Sequence, residues 1–512
     1  MKVNIRKSAA LLGLAALAVV AFKTGSTDPW QSKFVTQNTD GSLTYHPDKQ
    51  GNTIPDFSRV GYHEQDAPIP DVPVVKTIEA PKDGSNAKQL IQDAINEVSK
   101  LKADANGIRG AILLKKGIYK ITDSVYMHTG GIVLRGEGEG KDGTILVAAG
   151  KGQRTLINVV GKKGFTPDGD KIKITDDFVP TGAKSFNVAS TAGLKVGDRI
   201  ILYRPSPDNW IHDLKMDQIE ERKTGGTKQW KAGEFDLQFE RNINKIEGNK
   251  IFMDNPVVME IDAKYGGGSI YKYSTPGRIK EVGVEHIRFE SEYAGDTDED
   301  HGWTAVAYSN IENGWVRNVT SYYFGYACVS TEGGSRNITV TDCKCLDAKS
   351  IITGSRRYSF NNTGQLNLFM NCHTEDGRHD YVTGARVCGP NVFYNNTAKN
   401  EHADIGPHHR WSSGTLYDNI VSDGEINVQD RQWMGSGHGW SGVTQVLWNC
   451  TAKAAAVQKP WVSGTNYNIG FHGKHAEGSF KGRLDGEWEG MNKDNLMPAS
   501  LYIAQFKARH LK

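Results

Sequence analysis

The strongest constraint on the fold of this chain is a repeat that becomes visible after residue 280. The repeated segments are short and β-prone, and they begin at intervals of roughly 23 to 32 residues, at His286, Asn318, Cys343, Cys372, Asn396, Asn419 and Cys450. Repeats of this length indicate a solenoid, in which each coil contacts only its neighbours. Because no helix-length periodicity accompanies them, they predict a β-solenoid with coils stacked about 4.8 Å apart.

The region before the repeat contains a helix followed by glycine-punctuated strands. Apolar residues recur at helical spacing at Leu90, Ile91, Ala94, Ile95 and Val98. Strand-like runs follow at residues 111–121, which contain Gly-Ile-Tyr, and at residues 131–138, which contain Leu-Arg-Gly-Glu-Gly. This order resembles the pectate-lyase-like superfamily of right-handed parallel β-helix proteins, of the polysaccharide lyase type. The resemblance implies an all-β, right-handed parallel β-helix whose N-terminal end is covered by the helix.

The first 21 residues have the features of a bacterial-type secretory signal. Lys2, Arg6 and Lys7 precede an apolar stretch that is short for a membrane span, and Val19 and Ala21 fit a cleavage site. We therefore expect an exported protein, periplasmic or secreted, with no membrane span after cleavage. Cleavage would change the formal net charge from +2 to −1, which disfavours nucleic acid as a partner and requires a local basic patch for any affinity for a polyanion.

Changes in composition divide the remainder of the chain. Residues 161–275 interrupt the strand rhythm, and residues 498–509 have the character of a helix that covers the last coil. We expect a monomer with the following parts: a signal peptide in 1–21, an extended arm in 22–75, the cap helix and first coils in 76–160, an inserted small β module in 161–275, the main coils with an active groove in 276–475, and a C-terminal cap in 476–512.

The six cysteines are Cys328, Cys343, Cys345, Cys372, Cys388 and Cys450. An even number in an exported protein allows disulfides. Three of them nevertheless fall in one column of the repeat, and free cysteine behaves as a small buried apolar residue. We therefore predict a reduced interior stack. A zinc site is disfavoured, because the Cys343-Lys-Cys345 pair lacks the spacing of a zinc motif.

A second column of the repeat concentrates basic and imidazole side chains. Lys349, His379, His402 and Glu425 each lie three residues before an apolar anchor of the column. Stacked like charges cost energy unless a ligand offsets them, and a guanidinium group matches a carboxylate or sulfate. The column therefore favours a groove for an acidic polysaccharide over a solvated basic face. The residues that follow the anchors are Arg356, Arg357, Arg386, His408, His409, Arg410, Arg431 and His472.

Aromatic residues accompany the same column, and sugar rings pack on aromatic faces in binding grooves. The glycine-rich loop 435–440 has His438 at its centre and would let backbone approach a ligand. Its Gly-His-Gly sequence also occurs in polygalacturonase-type hydrolases, but their paired-aspartate motifs are not evident before it. The residues assigned to substrate binding are Arg356, Arg357, His409, Trp411, Arg431, Trp433, His438, Trp440 and His472.

The resemblance implies a lyase that cleaves a uronic-acid-containing polysaccharide by β-elimination. Such a reaction needs a base, an acid for the leaving oxygen and a group that neutralises the uronate carboxylate. We predict His379 or His402 as the base and Tyr381 or His408 as the acid. Arg386 and Arg410 are predicted to hold the carboxylate.

Two other functions remain open on the sequence. A glycoside hydrolase would need paired carboxylates, for which Asp404 and Asp430 are the candidates. A non-catalytic glycan-binding protein would bind without releasing oligosaccharides. The motifs require no cofactor and no metal ligand set is assigned, although calcium on the acidic loop 296–301 is left open. The identity of the polysaccharide and internal or terminal cleavage are also left open.

Overall fold

The computed structural model describes residues 28–511, so the predicted signal peptide lies outside the described residues. The main body is a right-handed parallel β-helix, in which 30 strands join one set of almost entirely parallel ladders. Successive coils pair strand on strand, as Phe360–Asn362 pairs with Tyr381–Thr383. The fold class predicted from the sequence is confirmed.

Each coil has three faces, and a few long strands bend from one face onto the next. The first face consists of Val125–Met127, Arg154–Val160, Gly302–Ser309, Ala327–Thr331, Phe360–Asn362, Tyr381–Thr383, Asp404–Pro407, Glu425–Val428 and the later part of Thr451–Lys459. The second consists of Val74–Ile78, Gly110–Leu114, Ile132–Gly138, Ile279–Ser291, Ile311–Tyr322, Arg336–Thr341, Leu368–Met370, Cys388–Tyr394, Ser412–Asp418, Gly442–Val443, Val446–Trp448, Tyr467–Ile469 and Glu487–Glu489. The third consists of Gly117–Ile121, Thr144–Ala148, the later parts of Ile279–Ser291 and Ile311–Tyr322, Lys344–Leu346, His373–Glu375, Thr397–Lys399, Val421–Ser422, the start of Thr451–Lys459 and His472–His475.

One corner of the coil is turned by a residue in the left-handed backbone conformation. Asparagine and aspartate tolerate this conformation better than other side chains, which explains their recurrence. The register of the neighbouring strands shows that the residue after each corner forms the interior column. The predicted column is therefore off by one residue at His286, Asn318 and Asn419, which turn corners. The interior residues are the ones that follow them, Ile287, Val319 and Ile420. The corner residues, with φ between 51° and 58°, are His286, Asn318, Asp342, Asn371, Asn395, Asn419 and Asn449.

All six cysteines are free and buried, as predicted. Cys343, Cys372 and Cys450 occupy the interior column and pack in the main core of the solenoid. Cys388 differs, because it packs in a second core that the coils share with the inserted module.

The two ends of the solenoid are covered differently. At the N-terminal end, the helix Lys88–Val98 buries Ile91 and Ile95 in the main core. Contrary to the prediction, the C-terminal helix Leu501–Arg509 does not cover the last coil. It lies on the outer side of the second face, where its Leu501 packs with apolar residues of the coils and of the arm. Trp488, in the last strand of the second face, packs against the main core instead.

The arm before the first coil packs along the outer side of the second face. Its apolar residues join a cluster with Leu368, Val392 and Leu416 of the coils. It contains the strands Trp30–Gln31, Val35–Gln37 and Leu43–Tyr45 and the short 3₁₀ helix Tyr62–Gln65. Trp30–Gln31 pairs with Leu496–Met497 near the C-terminus, so the two ends of the described chain meet.

The inserted module leaves the solenoid after Val160 and returns at Ile279. Its main part is a six-stranded antiparallel sheet built from Thr166–Lys173, Ser185–Asn187, Arg199–Arg204, Leu237–Glu247, Lys250–Met253 and Ser269–Ser274. A two-stranded ladder, Phe178–Val179 with Ile261–Asp262, the helix Asp208–Asp213 and the 3₁₀ helix Ala263–Tyr265 complete it. Arg154–Val160 pairs directly with Gly302–Ser309, so the excursion leaves the stack of coils uninterrupted.

Candidate functional site

Four histidines meet on the first face of the solenoid, and we call them the histidine cluster: His379, His408, His409 and His438. His379 precedes the strand Tyr381–Thr383, and His408 follows the strand of the next coil. The rings of His379 and His408 have centroids 4.3 Å apart. The rings of His408, His409 and His438 lie 4.9 to 5.2 Å from one another. Stacking of the coils thus assembles imidazoles that are distant in sequence.

A carboxylate fixes the orientation of His379. Its Nδ1 lies 2.9 Å from Oδ1 of Asp404 and 2.8 Å from the Asp404 carbonyl oxygen. Both are acceptors, so Nδ1 carries the proton and Nε2 keeps its lone pair. Nε2 is buried and has no hydrogen-bond partner among the described residues. The site therefore contains an oriented imidazole whose basic nitrogen is buried and has no partner on the protein.

Arg431 holds Asp404 as an anion and extends the network to a second histidine. Its guanidinium forms an ion pair with the Asp404 carboxylate and donates to Nδ1 of His408 over 3.2 Å. Burial alone raises the pKa of Asp404, but the charge of Arg431 and the contact with His379 hold that pKa well below its usual range. Asp404 is therefore an ionised acceptor, because protonation would cost both interactions.

The imidazoles of the cluster are neutral at ordinary pH. Burial lowers the pKa of His379, and it lowers that of His408 still more with the help of the neighbouring His379 and Arg431. Burial followed by the charge of Arg410 lowers the pKa of His409 to about 4. Burial and His409 lower the pKa of His438 to about 3. A neutral imidazole can accept a proton, so the cluster is suited to base chemistry.

A tyrosine and an arginine absent from the sequence-based assignment complete the site. The Tyr358 ring packs edge-on against His379 at 5.0 Å and lies 5.4 Å from His408. Burial raises the pKa of Tyr358, although the charge of Arg378 opposes this. Tyr358 directly follows Arg356 and Arg357 in the sequence, so its place in the charged column was the signal that could have identified it.

The inserted module forms a wall beside the cluster. The backbone N–H of Lys228 donates to the Ser436 carbonyl over 3.2 Å, and Arg222 donates to the Gly435 carbonyl over 2.7 Å. Gly435, at φ 58°, leaves room for the His438 ring, since a Cβ there would come within 2.2 Å of it. The glycine-rich loop therefore accommodates the His438 ring and the inserted module. The sequence had suggested that it would accommodate a ligand.

Arg386 and Arg410 lie at the boundary between the cluster and the module. The Arg386 N–H donates to the Arg410 carbonyl over 2.8 Å, and its guanidinium donates to the Glu234 carbonyl over 2.5 Å. Arg410 donates to the Ser436 hydroxyl over 2.5 Å. The structure therefore brings together these predicted site residues: His379, His408, His409, His438, Arg386, Arg410 and Arg431.

Three aromatic residues assigned to the groove are core residues, which corrects the prediction. Tyr381 is fully buried inside the solenoid, where its hydroxyl donates to the Cys372 and Thr397 carbonyls. Trp411 and Trp440 are buried in the core shared with the module. Because both side chains are packed between the module and the coils, they cannot contact a ligand on the surface. Trp433 is exposed at 37 % and contacts Phe480 edge-on.

Two arginines of the predicted column are engaged elsewhere. Arg356 donates twice to the Glu299 carboxylate, at 2.6 and 2.7 Å. Arg357 is buried and donates to the Ser350 and Asp376 carbonyls. Both guanidinium groups therefore have protein acceptors, and the structure does not bring them to the histidine cluster.

Two histidines of the predicted column also lie apart from the cluster. His402 is exposed, and its Nε2 lies 3.9 Å from an Asp376 carboxylate oxygen. His472 begins a strand on the third face and lies 3.8 Å from Asp494. The histidine row predicted from the anchors thus separates onto different corners of the coil.

The carboxylates proposed for hydrolysis or calcium binding have protein partners. Asp430 is fully buried and accepts hydrogen bonds from Arg483 and Gln432. In the acidic loop, Asp296 pairs with Lys349 at 2.9 Å. Asp298 of the same loop accepts from backbone N–H groups of residues 294 and 300. These contacts connect the loop to the coil and give its carboxylates protein partners.

One group of the site has spacing suitable for a metal ion. Ligand atoms of His379, Asp404 and His408 all lie within 4.8 Å of one another. The guanidinium of Arg431, however, bonds both Asp404 and His408 and already supplies a positive charge at this point. We therefore interpret the group as an ion-paired network, since a second cation beside Arg431 would be repelled.

No helix within residues 28–511 is both long enough and apolar enough to span a membrane. No family model matches the sequence, and no curated protein matches it significantly.

Three solved structures with a similar overall course share 8 to 11 % identity with this chain. The tailspike gp61 of Pseudomonas phage phi297 has 11 % identity and a TM-score of 0.28, covering 80 % of this chain and 74 % of its own. A 1,3-α-1,4-β-D-galactose-4-sulfate-3,6-anhydro-D-galactose-2-sulfate 4 galactohydrolase has 10 % identity and a TM-score of 0.40, covering 83 % and 88 %. The surface adhesin PfbA of Streptococcus pneumoniae has 8 % identity and a TM-score of 0.34, covering 82 % and 91 %. These values are too low to carry any inference about activity, and no family membership follows from them.

Proposed function

We propose that this protein is an exported polysaccharide lyase of the pectate-lyase-like type that cleaves a uronic-acid-containing polysaccharide by β-elimination. The observation that carries the proposal is the unpartnered Nε2 of His379, in an imidazole whose other nitrogen is held by Asp404. A protein that only binds glycans has no need for an oriented, neutral base in a cluster of guanidinium groups.

His379 is the proposed base. The Asp404 carboxylate and carbonyl keep its proton on Nδ1, so Nε2 is the nitrogen that takes the proton from C5 of the uronate. Because Nε2 is buried, this step requires the bound substrate to displace the side chains that cover it. The imidazolium that forms is stabilised by the Asp404 anion 2.9 Å away. Asp404 does not have to change its charge to stabilise the imidazolium, because Arg431 already keeps it ionised. His402, the other predicted base, has no comparable orienting carboxylate within hydrogen-bond distance among the described residues.

Tyr358 is the proposed acid, in place of Tyr381. Its raised pKa keeps the hydroxyl protonated, and its ring touches both His379 and His408. In the elimination, the C5–H bond breaks and its proton goes to Nε2 of His379. The electron pair forms the C4–C5 double bond, the C4–O bond breaks, and the leaving oxygen takes the proton of Tyr358.

The charge of the site suits a carboxylate substrate. Four guanidinium groups, those of Arg378, Arg386, Arg410 and Arg431, surround the cluster. The carboxylates near them are Asp404, which pairs with Arg431, and Glu234, which acts on Arg410. The excess of positive charge favours binding of a uronate and neutralises its carboxylate, which makes the C5 proton more acidic. Arg410 is the predicted carboxylate ligand closest to His409.

Hydrolysis through Asp404 and Asp430 has weaker support. A glycoside hydrolase needs one protonated carboxyl as general acid. Asp404 has a pKa well below its usual range, and Asp430 is fully buried against Arg483. Neither carboxyl has the environment of a proton donor to a sugar.

The test is a screen of acidic polysaccharides with the purified protein, read by ultraviolet absorbance of the unsaturated product. We expect absorbance with at least one uronate-containing polymer, and none from His379→Asn, which keeps a polar side chain of similar shape. His402→Asn is the matched control and should retain activity. Release of reducing ends without absorbance would indicate a hydrolase, and binding without either signal would indicate a glycan-binding protein. Either result would refute the lyase proposal.

A further inference from the structure

A second pocket lies where the inserted module meets the first face of the solenoid. It has a volume of about 530 Å³. The module contributes Phe165 and Gln238, and the coils contribute the turn Glu332–Gly334 and Gln365. This turn follows the strand Ala327–Thr331, two coils before the strand next to His379. At about 4.8 Å per coil, the pocket and the cluster are separated by roughly 10 Å along the solenoid axis.

A buried ion-pair network lies behind the pocket, and its members Glu240 and Arg278 reach the pocket lining. Arg278 and Arg336 both bond Glu240, at 2.6 and 3.1 Å. Arg199 pairs with Glu312, and Lys280 lies 3.6 Å from the same carboxylate. Asp254 also acts on Arg336, so three carboxylates offset most of the charge of the four cationic side chains.

Two exposed lysines add to this charge. Lys162 and Lys163 line the pocket, and within residues 28–511 neither side chain forms an ion pair or hydrogen bond. Glu332 is the additional carboxylate at the rim. Phe165 is exposed at 41 % and its ring stacks on Tyr273 at 5.3 Å, which holds it in a fixed orientation. The pocket therefore combines free ammonium groups, amide side chains and an aromatic face, the mixture found in saccharide sites.

Aromatic rings on adjacent coils lead to the histidine cluster from the coil that supplies the pocket turn. Tyr326 directly precedes the strand Ala327–Thr331 of that coil, and its ring lies 5.2 Å from that of Tyr358. Tyr358 in turn contacts His379. These rings thus form a row along one face of the solenoid.

We propose that the pocket around Lys162 and Lys163 binds a second anionic unit of the same polysaccharide chain whose cleavage site lies at His379. This proposal rests on the proposed function for the identity of the chain, and it implies that the protein engages a stretch of several sugars.

The test measures binding by isothermal titration calorimetry to the His379→Asn variant, which leaves the probes uncleaved. The probes are polygalacturonate, alginate, hyaluronan, heparin and fucoidan. The double change Lys162→Ala and Lys163→Ala should weaken binding of the preferred probe about ten-fold and reduce its dependence on salt. The control is Lys453→Ala, an exposed lysine on a C-terminal coil outside the pocket. It should leave the affinity as in the parent variant.

The outcomes separate the two proposals. Affinity that does not change in the double variant, or the absence of binding by all five probes, would refute the second site. Binding that depends on the two lysines, without cleavage of the same probe by the unmodified protein, would refute the lyase proposal and leave the anion site standing. In the active protein, the double variant should show a higher KM on long chains.

Discussion

Acidification should destabilise the folded chain through the histidine cluster, and the size of the effect can be worked out from two buried rings. His379 and His408 are 2 % and 8 % exposed, and their folded-state pKa values lie below the usual 6.5. In the unfolded chain the same imidazoles protonate near their usual value. Below that value the unfolded state binds more protons than the folded state, so stability present above about pH 6.5 is lost as the pH falls.

Each such histidine costs up to about 1.4 kcal/mol per pH unit below its unfolded pKa. Between about pH 7.5 and pH 5 this amounts to about 2 kcal/mol for His408, and His379 adds to the loss in the same direction. His409 and His438 act in the same direction, but their partial exposure to water makes their contribution smaller. The carboxylate of Asp404 contributes only at lower pH, because its unfolded pKa is near 4.

The assay is urea unfolding at a series of pH values, followed by fluorescence of the 11 tryptophans. His408→Gln should reduce the loss by about 2 kcal/mol, because glutamine can accept the hydrogen bond of Arg431 but does not titrate. His212→Gln is the control with the opposite sign, since Asp217 raises the pKa of that histidine. A stability that changes by less than about 1 kcal/mol over this range, or an unchanged loss in His408→Gln, would contradict the reasoning.

Three further predictions concern single side chains. Asp404→Asn should lower kcat by about 10² to 10³-fold, because the imidazolium of His379 loses its anion while the Asp404 carbonyl still orients the ring; single-turnover kinetics measure this. Tyr358→Phe should reduce the rate by about 10² to 10⁴-fold with little change in the urea midpoint, and steady-state kinetics against a leaving group of low pKa should recover part of the loss. Trp411→Ala should destabilise the protein by about 3–5 kcal/mol in urea unfolding without abolishing glycan binding, and a selective loss of affinity in a stable variant would contradict its place in the core.

The sequence predicted the solenoid because its repeat is a direct consequence of stacked coils. The alignment nevertheless placed His286, Asn318 and Asn419 in the interior column, where the structure has Ile287, Val319 and Ile420. A corner residue and an interior residue are adjacent in each coil, so an alignment by residue type can slip by one position. The recurrence of asparagine at a left-handed corner is a backbone requirement, which side-chain chemistry alone does not reveal.

The candidate site was predicted in part. His379, His408 and Arg431 could be associated because they lie on adjacent coils, and stacking brings adjacent coils into contact. The direction of each side chain could not be predicted, because neighbouring residues of a strand point to opposite sides. Tyr381 therefore points into the core, while Tyr358 reaches the site. The burial of Trp411 depends on the module, a contact distant in sequence.

The chain leaves the coils after Val160 and rejoins them at Ile279 without disturbing the pairing of Arg154–Val160 with Gly302–Ser309. The solenoid and the inserted module can therefore change independently in evolution. A different module could replace this one at the junction while the coils that carry the histidines keep their positions. Under the proposed function, related chains could then change their glycan preference through the inserted module alone. The exchange has a constraint, because any replacement must again shield the large indole surfaces that Trp411 and Trp440 present to it.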